Sequence, residues 1–480
     1  MPIQRPAAGM IIDGFLLEEK LHKGGMATLW RVVRTNSDDT NPAEQLLMKI
    51  PILGDNNDPT AIVGFEVEQM IMPKLSGIHV PRFIAAGDFA AQPYIVMELI
   101  KGSSLRPRLD DAPLAPDEVA MIGAKVATAL HDLHRQRIVH LDIKPSNIMF
   151  RESGEAILID YGLARHDNLP DLLAEEFRLP LGTGPYISPE QVLHIRNDPR
   201  SDLFALGVLL YHLATAQRPL GNPDTVRGLR RRLWRDPLPP RVHNSQIPPW
   251  LQEIILRCLE VDPAARYASA AQLAFDLQHP DQVPLTARAK KMHADTRLTV
   301  MKRWLRAIGI EPPQQQSAAS QLSQAPIIVT AIDLAHGSGA LAETLRVTTR
   351  RILQTEPGAR LACITVQKTN RIGMDITVDR EGQNLHVKNL VALKHWARPL
   401  NIPEEKITYH VLEAPDAAAA IIDYARINNV DHIVIGSRGS STLRRYLGSV
   451  SSQVVAQADC TVTVVKSAGV SAQDEPAPTK

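Results

Sequence analysis

The chain has 480 residues, of which 44% are hydrophobic and 22% charged, and this composition excludes a disordered or fibrous chain. Its 53 basic and 52 acidic side chains leave a formal net charge of +1, which gives no reason to expect nucleic acid as a partner. At roughly 100–200 residues per domain, the length predicts two to four compact units.

Cysteine usage and hydropathy indicate the cellular compartment of the protein. Cys258, Cys363 and Cys460 lie far apart and form no metal-binding or disulfide pattern, which favours a reducing interior. The N-terminus has no apolar signal region, and no apolar run reaches the ~18–20 residues that a membrane helix needs. We therefore expect a soluble cytoplasmic protein without a transmembrane segment.

The first chemically informative segment is a polar loop between a predicted helix and a predicted strand. Apolar residues before the loop recur at the three-to-four spacing of an amphipathic helix: Val119, Ile122, Val126, Leu130 and Leu133. The loop carries Asp142, Lys144 and Asn147 in close succession. Such an Asp can accept a hydroxyl proton, the Lys can neutralise a phosphate, and the Asn can bind a cation.

A second carboxylate follows soon after the loop. Residues 157–159 form an apolar run typical of a buried strand, and Asp160 stands at its end. Gly162 then permits a sharp turn. A carboxylate delivered in this way is a plausible ligand for a hard cation.

Residues 140–147 and 160–162 resemble the catalytic loop and the metal-binding triplet of eukaryotic-like protein kinases, specifically the bacterial serine/threonine kinases. The resemblance covers about residues 10–280 and implies an α+β bilobal protein-kinase fold. It also implies an enzyme that uses ATP and Mg²⁺ to phosphorylate hydroxyl groups of protein substrates. Asp142 would accept the hydroxyl proton, Lys144 would stabilise the γ-phosphate, and Asn147 and Asp160 would hold Mg²⁺.

Other motifs of this family occur in the expected order. Residues 47–49 resemble the strand that carries the ATP-positioning lysine, Lys49. Glu68, in a helix-like run, is expected to pair with that lysine. Glu68 keeps the family's distance from the flanking Phe65, so we prefer it to Glu66.

The resemblance also implies an adenine site and two structural anchors. Residues 94–100 look like the hinge between lobes, where Met97 would gate the pocket and the backbones of Glu98 and Ile100 would bond the base. Residues 201–207 resemble the helix that anchors the catalytic loop. Arg266 is expected to pair with Glu190 at the end of the activation segment.

The glycine-rich loop departs from the family pattern, because His22 and Ala27 replace two of the three usual glycines. A positive φ at His22 would cost on the order of 1 kcal/mol, too little to abolish catalysis. Four residues around the loop are expected to contact the nucleotide: Leu21, Gly24, Gly25 and Leu29. The departure motivates an alternative function, a nucleotide-binding scaffold with weak or no kinase activity.

The activation segment departs as well. Leu141 stands where many kinases have an Arg that binds a phosphate on this segment. Between residues 163 and 187 the only Ser or Thr is Thr183, at a position where the family uses Thr to bond the catalytic Asp and Lys. We therefore expect a kinase that is not switched by phosphorylation of this segment.

A linker separates this unit from the rest of the chain. Residues 314–324 are rich in Gln and Ser and cannot bury enough apolar surface to offset their ordering entropy. Residues 285–308, before it, are basic and helical in pattern. The favoured interpretation is a helix packed on the first unit with a solvated charged face. The other is an amphipathic helix that binds a membrane surface or a partner. We assign residues 281–324 to this helix and linker, and residues 468–480 to a disordered tail.

After the linker, strand and helix patterns alternate. The predicted strands lie at 327–332, 361–366, 407–412, 432–435 and 461–465. The predicted helices lie at 341–353, 385–396, 417–427 and 441–457. Five strands with four crossovers are typical of an α/β doubly wound parallel sheet, here over residues 325–467.

Ligands of such sheets bind beyond the carboxyl ends of the strands. Asp333 follows the first predicted strand, and Gly436 and Gly439 follow the fourth. Glycines between a strand and a helix let backbone amides hold a phosphate, and Gly448 and Ser449 could add a second contact. The alternative is that these glycines only make tight turns.

Residues 325–467 resemble the universal stress protein family, in which the counterpart of Asp333 bonds adenine and a glycine pattern holds phosphates. This implies a C-terminal stress- or nucleotide-sensing domain. Two departures weaken the match: the gap between Gly439 and Gly448 is one residue short, and Leu334 follows Asp333. The family often dimerises through its last strand, so residues 461–465 are the expected edge of a homodimer.

Overall fold

A computed structural model describes residues 6–35, 45–53, 59–308, 326–334, 339–356, 358–369, 384–403, 406–437 and 449–466. The chain divides into two units, and the main boundary lies between Gln315 and Gln316. The predicted linker and tail lie outside the described residues. Within the described ranges, no helix is long and apolar enough to cross a bilayer.

The first unit opens with a six-stranded antiparallel sheet in the order β1-β2-β3-β4-β6-β5. Its strands are β1 (Ile11–Ile12), β2 (Phe15–Lys23), β3 (Ala27–Arg34), β4 (Leu46–Pro51), β5 (Phe83–Gly87) and β6 (Tyr94–Glu98). Side chains alternate between the faces of a strand. Because Leu46, Met48 and Ile50 are buried in the core of this sheet, Lys49 projects from the other face.

Helix α1 (Pro59–Ile71) crosses behind that face and carries Glu68. It approaches the chain after Asp160 unusually closely, because a Cβ added to Gly64 would lie 3.0 Å from the Gly162 carbonyl oxygen. A side chain at Gly64 would therefore push the helix away. This glycine, which the sequence analysis missed, sets how near the helix of Glu68 lies to the chain after Asp160.

The rest of the unit is mainly helical, which confirms the expected α+β class. The helices are α2 (Pro116–Arg135), α3 (Leu172–Glu176), α4 (Pro189–Val192), α5 (Arg200–Thr215), α6 (Val226–Arg230), α7 (Pro240–His243), α8 (Pro249–Cys258), α9 (Ala270–Gln278), α10 (Ala287–Lys290) and α11 (Arg297–Ile308). Two small antiparallel sheets pair β7 (Ile138–Val139) with β10 (Arg165–His166) and β8 (Ile148–Phe150) with β9 (Ala156–Leu158). All five apolar positions predicted for α2 are buried.

The basic segment 285–308 is not one helix. Helix α10 ends at Lys290 and α11 begins at Arg297. The buried Gln252 amide donates to the carbonyls of Arg288 (2.8 Å) and Lys291 (2.9 Å), and these bonds replace helical ones. A tertiary contact thus interrupts a sequence that is helical in pattern.

The second unit is a five-stranded parallel sheet in the order β13-β12-β11-β14-β15, which confirms the predicted doubly wound fold. The strands are β11 (Ile327–Ala331), β12 (Arg360–Lys368), β13 (Ile407–Ala414), β14 (His432–Ser437) and β15 (Thr461–Lys466). The helices are α12 (Gly339–Thr355), α13 (Leu385–Ala397), α14 (Ala417–Ile427) and α15 (Ser449–Gln457). The first part of the predicted helix 441–457 lies outside the described residues.

Candidate active site

Lys49 joins two carboxylates that come from distant parts of the sequence. Its Nζ lies 2.5 Å from Glu68 Oε2 and 2.9 Å from Asp160 Oδ1. Burial disfavours the charged ammonium, but the two carboxylates outweigh it and raise the pKa of Lys49. In return the Lys49 ammonium lowers the pKa of Asp160 to about 2, against the opposing effect of burial. Both groups are therefore ionised at neutral pH.

Asp142 lies at the centre of a second network. Its Oδ1 accepts from the Thr183 hydroxyl (2.8 Å), and its Oδ2 accepts from Lys144 Nζ (2.6 Å) and Asn147 Nδ2 (3.1 Å). Lys144 also donates to the Thr183 hydroxyl (3.1 Å). The structure thus brings together the three loop residues singled out by the sequence, and Thr183 links them to the activation segment.

The buried carboxylate of Asp202 holds the loop from behind. It accepts from the backbone N–H groups of His140 (2.9 Å) and Leu141 (2.8 Å) and contacts His134 Nε2 (2.8 Å). Leu141 has a φ of +63°, a left-handed conformation that is costly for a Leu. The Gln191 amide fixes its carbonyl (2.9 Å), so this strained position is held on both sides.

Glu190 and Arg266 form a buried ion pair, as predicted. Two nearly parallel bonds of 2.7 and 2.8 Å join the guanidinium to the carboxylate. Ser201 donates to the same carboxylate (2.7 Å), and Arg266 donates to the Arg200 carbonyl (2.8 Å). This pair ties the end of the activation segment to helix α5.

The glycine-rich loop is less strained than expected. His22 lies in strand β2 opposite Leu29 and is not among the residues with positive φ, so the predicted backbone cost does not arise. The Gly24 N–H donates to the Ala27 carbonyl (2.9 Å), which closes the turn. A Cβ added to Gly25 would meet nothing within 4 Å, which leaves room beside this backbone. Leu21, on the same strand as His22, is partly exposed.

The hinge is braced by an ion pair that the sequence analysis missed. Arg151 binds the Glu98 carboxylate with two nitrogens, one of them at 3.0 Å. The Glu98 N–H donates to the Arg82 carbonyl (2.9 Å), so a base could be bound there only through the Glu98 carbonyl oxygen. Met97 and Ile100, on either side of Glu98, are buried.

A cluster around Asp171 holds the activation segment without any added phosphate. The Asp171 carboxylate accepts from Arg196 Nε (2.9 Å), lies 3.8 Å from Arg165 Nε, and caps helix α3 through the Ala174 N–H (3.2 Å). Arg196 also donates to the Leu163 carbonyl (3.0 Å). Because the three charged side chains are almost fully buried, solvent screens these pairs little.

Asp171→Asn should lower the free energy of unfolding by about 1–3 kcal/mol, because the amide keeps the shape but leaves two buried arginines without their counter-charge. Urea unfolding followed by tryptophan fluorescence measures this loss. Asp281→Asn, at an exposed position of the same unit, is the control and should change stability by less than about 0.5 kcal/mol. Equal stabilities of the two variants would contradict this role of Asp171.

In the second unit, Asp333 and strand β14 meet at the carboxyl edge of the sheet. Ala331 pairs in register with Ile435, so Asp333 and Ser437, each two residues further on, stand at the same level. Strand β11 lies between β12 and β14, so the strand order reverses there, as at the ligand sites of such sheets. Gly439 and Gly448 lie outside the described residues.

Two observations refine this predicted site. A Cβ added to Gly436 would lie 3.2 Å from Leu341 of helix α12, so this glycine lets the helix pack closely on the sheet. A cavity of about 220 Å³ lies near the ends of β12 and β13, and its lining includes Lys368, Asp416 and Ser449. Of the predicted ligand residues in the described part, only Ser449 lines it.

Comparison with known proteins decides the family. Residues 31–279 match the protein kinase domain family, more than half of the 480 residues. This chain belongs to the protein kinase family. Residues 326–466 match the universal stress protein family, which confirms the predicted identity of the second unit. The kinase match begins at residue 31, after the glycine-rich loop.

Several bacterial serine/threonine kinases are similar to the kinase unit. A probable serine/threonine-protein kinase of Streptomyces coelicolor is 31% identical over 263 residues, which are 54% of this chain but only 38% of that protein. Serine/threonine-protein kinase PknL of Mycobacterium tuberculosis is 30% identical over 275 residues, which are 57% of this chain and 67% of that protein. The crystal structure of a mutant PknI kinase domain from Mycobacterium tuberculosis aligns with 58% of this chain and 100% of that chain, at 20% identity and a TM-score of 0.43.

Proposed function

We propose that this kinase-family chain is an active protein serine/threonine kinase that transfers the γ-phosphoryl group of ATP to hydroxyl groups of proteins. The observation that carries the proposal is the position of Lys49 Nζ, held 2.5 Å from Glu68 and 2.9 Å from Asp160. A charged ammonium fixed in this way is placed to bind phosphate oxygens. The descriptions of the relatives as serine/threonine kinases support the same class of reaction.

In this proposal each residue acts through its position. Asp142 orients the substrate hydroxyl and accepts the hydroxyl proton, while Thr183 and Asn147 hold the Asp142 carboxylate in place. Lys144, beside it, balances charge on the γ-phosphate, and Lys49 positions the α- and β-phosphates. The reaction needs little covalent chemistry from the protein, so catalysis depends on positioning and charge neutralisation.

Asp160 and Asn147 suit Mg²⁺, which prefers oxygen ligands. The Asn147 amide nitrogen donates to the Asp142 carbonyl (3.0 Å) and carboxylate, so the amide oxygen, which also accepts from the Ser146 hydroxyl (3.2 Å), is the coordinating atom. The Asp160 side chain is 44% exposed and thus accessible to an ion. Mg²⁺ held by these two residues would neutralise charge on the transferred phosphoryl group.

The test is phosphoryl transfer from radiolabelled ATP to a generic protein substrate by the full chain. We expect labelled serine or threonine with Mg²⁺ and none with EDTA. Lys49→Met should abolish the signal, whereas Lys20→Met, at an exposed lysine of strand β2, should retain it. Phosphatase treatment of the enzyme beforehand should not change its rate, because the Asp171 cluster orders the segment. Equal background in all samples would exclude a kinase.

The alternative, a nucleotide-binding scaffold without turnover, is not favoured. His22 and Ala27 motivate it, but the backbone at His22 lies in a strand, and the Ala27 carbonyl closes the turn by accepting from the Gly24 N–H. The pairs made by Lys49 and the Asp142 network support an active enzyme instead.

We further propose that the universal stress protein domain binds a nucleotide and senses its level, with Asp333 bonding the base. Gly436, Gly439, Gly448 and Ser449 would lie near the phosphates. The position of Asp333 where the strand order reverses supports this proposal. Strand β15, at the edge of the described sheet, is the proposed pairing edge of a homodimer, and the cytoplasm, where ATP is available, is the proposed location.

Asp333→Ala should reduce the binding of a non-hydrolysable ATP analogue from two molecules per chain to one, because the base would lose its partner in the second unit. Equilibrium dialysis of the full chain measures this stoichiometry. Asp423→Ala, at an exposed position on α14, is the control and should leave it at two. One molecule per wild-type chain would contradict the second nucleotide site while leaving the kinase proposal intact.

A further inference from the structure

Helix α11 carries a stripe of apolar side chains that the first unit leaves exposed. Leu298, Met301 and Leu305 share one face of the helix by their spacing, and Trp304 lies beside them. Their exposed fractions are 68%, 52%, 57% and 43% for Leu298, Met301, Leu305 and Trp304. Exposed apolar residues usually occur singly, and a contiguous set of four marks an interaction surface.

Charged contacts fix the other side of the helix to the first unit. Arg303 lies 2.9 Å from Asp236 and 2.8 Å from Asp295. Lys291 reaches the same two carboxylates, at 3.4 and 2.8 Å. As the favoured interpretation expects, the helix packs on the first unit and has exposed charges, but Arg303 faces the unit and the apolar stripe faces outward.

Two exposed basic side chains flank the stripe on α11, and three more lie on the segment that contacts the helix. Arg297 and Lys302 lie on α11 itself. Arg227, Arg230 and Arg231 are exposed on α6 and on the 3₁₀ turn after it, and α11 contacts that turn. A stripe of Leu, Met and Trp flanked by Lys and Arg is the composition of helices that lie in a membrane interface.

We propose that α11 docks this chain on an anionic lipid bilayer. The stripe of Leu298, Met301, Trp304 and Leu305 enters the boundary of the acyl chains, and the five basic side chains face the phosphates of the headgroups. Charge complementarity favours this occupant over a second copy of the chain, which would bring two sets of the same cations together. Because the ion pairs of Arg303 already hold the helix with its apolar stripe facing outward, little rearrangement precedes binding.

Sedimentation of the full chain with vesicles tests the proposal. The chain should sediment with vesicles in which one lipid in three is phosphatidylglycerol, but not with pure phosphatidylcholine, and binding should weaken as salt is added. Leu298→Glu and Leu305→Glu should each lower the partition coefficient at least about tenfold. Met121→Glu, at a methionine of α2 that is 50% exposed, is the matched control and should bind like wild type.

The fluorescence of Trp304 tests whether the helix enters the membrane. The emission of Trp304 should shift to the blue on addition of anionic vesicles, and Trp304→Phe should lose most of that shift while still sedimenting. Unchanged urea unfolding would show that the variants are folded. Equal sedimentation with both vesicle types, or none with either, overturns the proposal. A dimer that Leu305→Glu dissociates, without vesicle binding by the wild type, overturns it as well.

Discussion

Replacing Asp142 by Asn should lower the rate of phosphoryl transfer by roughly 10²–10⁴-fold, which is the usual contribution of a positioned general base. The amide is nearly isosteric, but its single oxygen can replace only one of the two carboxylate oxygens that accept from Thr183 and from Lys144. No carboxylate remains to take the hydroxyl proton. Since Lys49, Glu68 and Asp160 are untouched, the affinity for nucleotide should stay close to that of the wild type. A radiolabelled transfer assay and calorimetry with an ATP analogue measure the two quantities separately.

The control for this prediction is Asp281→Asn, which makes the same chemical change at an exposed position. It should leave the rate of transfer and the nucleotide affinity unchanged. If Asp142→Asn kept more than a tenth of the wild-type rate, Asp142 would not be the proton acceptor. If the nucleotide affinity fell by the same factor as the rate, Asp142 would act in nucleotide binding instead.

Arg266→Met should destabilise the first unit by about 3–5 kcal/mol, because it leaves the Glu190 carboxylate buried without a counter-charge. The Arg266 side chain is fully buried, and that of Glu190 is 4% exposed. Urea unfolding followed by tryptophan fluorescence is a suitable measurement, since four of the five tryptophans belong to the first unit. The exception is Trp396.

Arg106→Met offers a matched comparison for Arg266→Met. Arg106 also forms an ion pair, with Asp110 at 3.3 Å, but both side chains are largely exposed. Such surface pairs contribute about 0–1 kcal/mol, so this variant should unfold nearly like the wild type. A small effect of Arg266→Met, similar to that of Arg106→Met, would show that the pair does not hold the activation segment in place.

Much of the fold could be predicted because it depends on local patterns. The apolar spacing of helix α2 and the alternation of strands and helices after residue 325 are visible in the sequence alone. The partners Lys49, Glu68 and Asp160 lie far apart along the chain, and only the order of family motifs indicated that they meet. The structure then places Lys49 within bonding distance of both carboxylates.

Other features could not be predicted, because they depend on tertiary contacts without a spacing pattern. Asp171 and Arg196 lie 25 residues apart, and Glu98 and Arg151 lie 53 residues apart. The end of α10 depends on Gln252, a side chain from another helix. The backbone at His22 follows from its pairing with Leu29 in the sheet, which a comparison of loop glycines does not reveal.

The most direct test of the proposed active site is a crystal structure of the full chain with Mn²⁺, in place of Mg²⁺, and a non-hydrolysable ATP analogue. The proposal predicts an anomalous peak bound by Asp160 and Asn147, phosphate oxygens on Lys49 Nζ, and Asp142 facing the terminal phosphate. A peak held by other ligands, or a nucleotide bound only away from these residues, would contradict it.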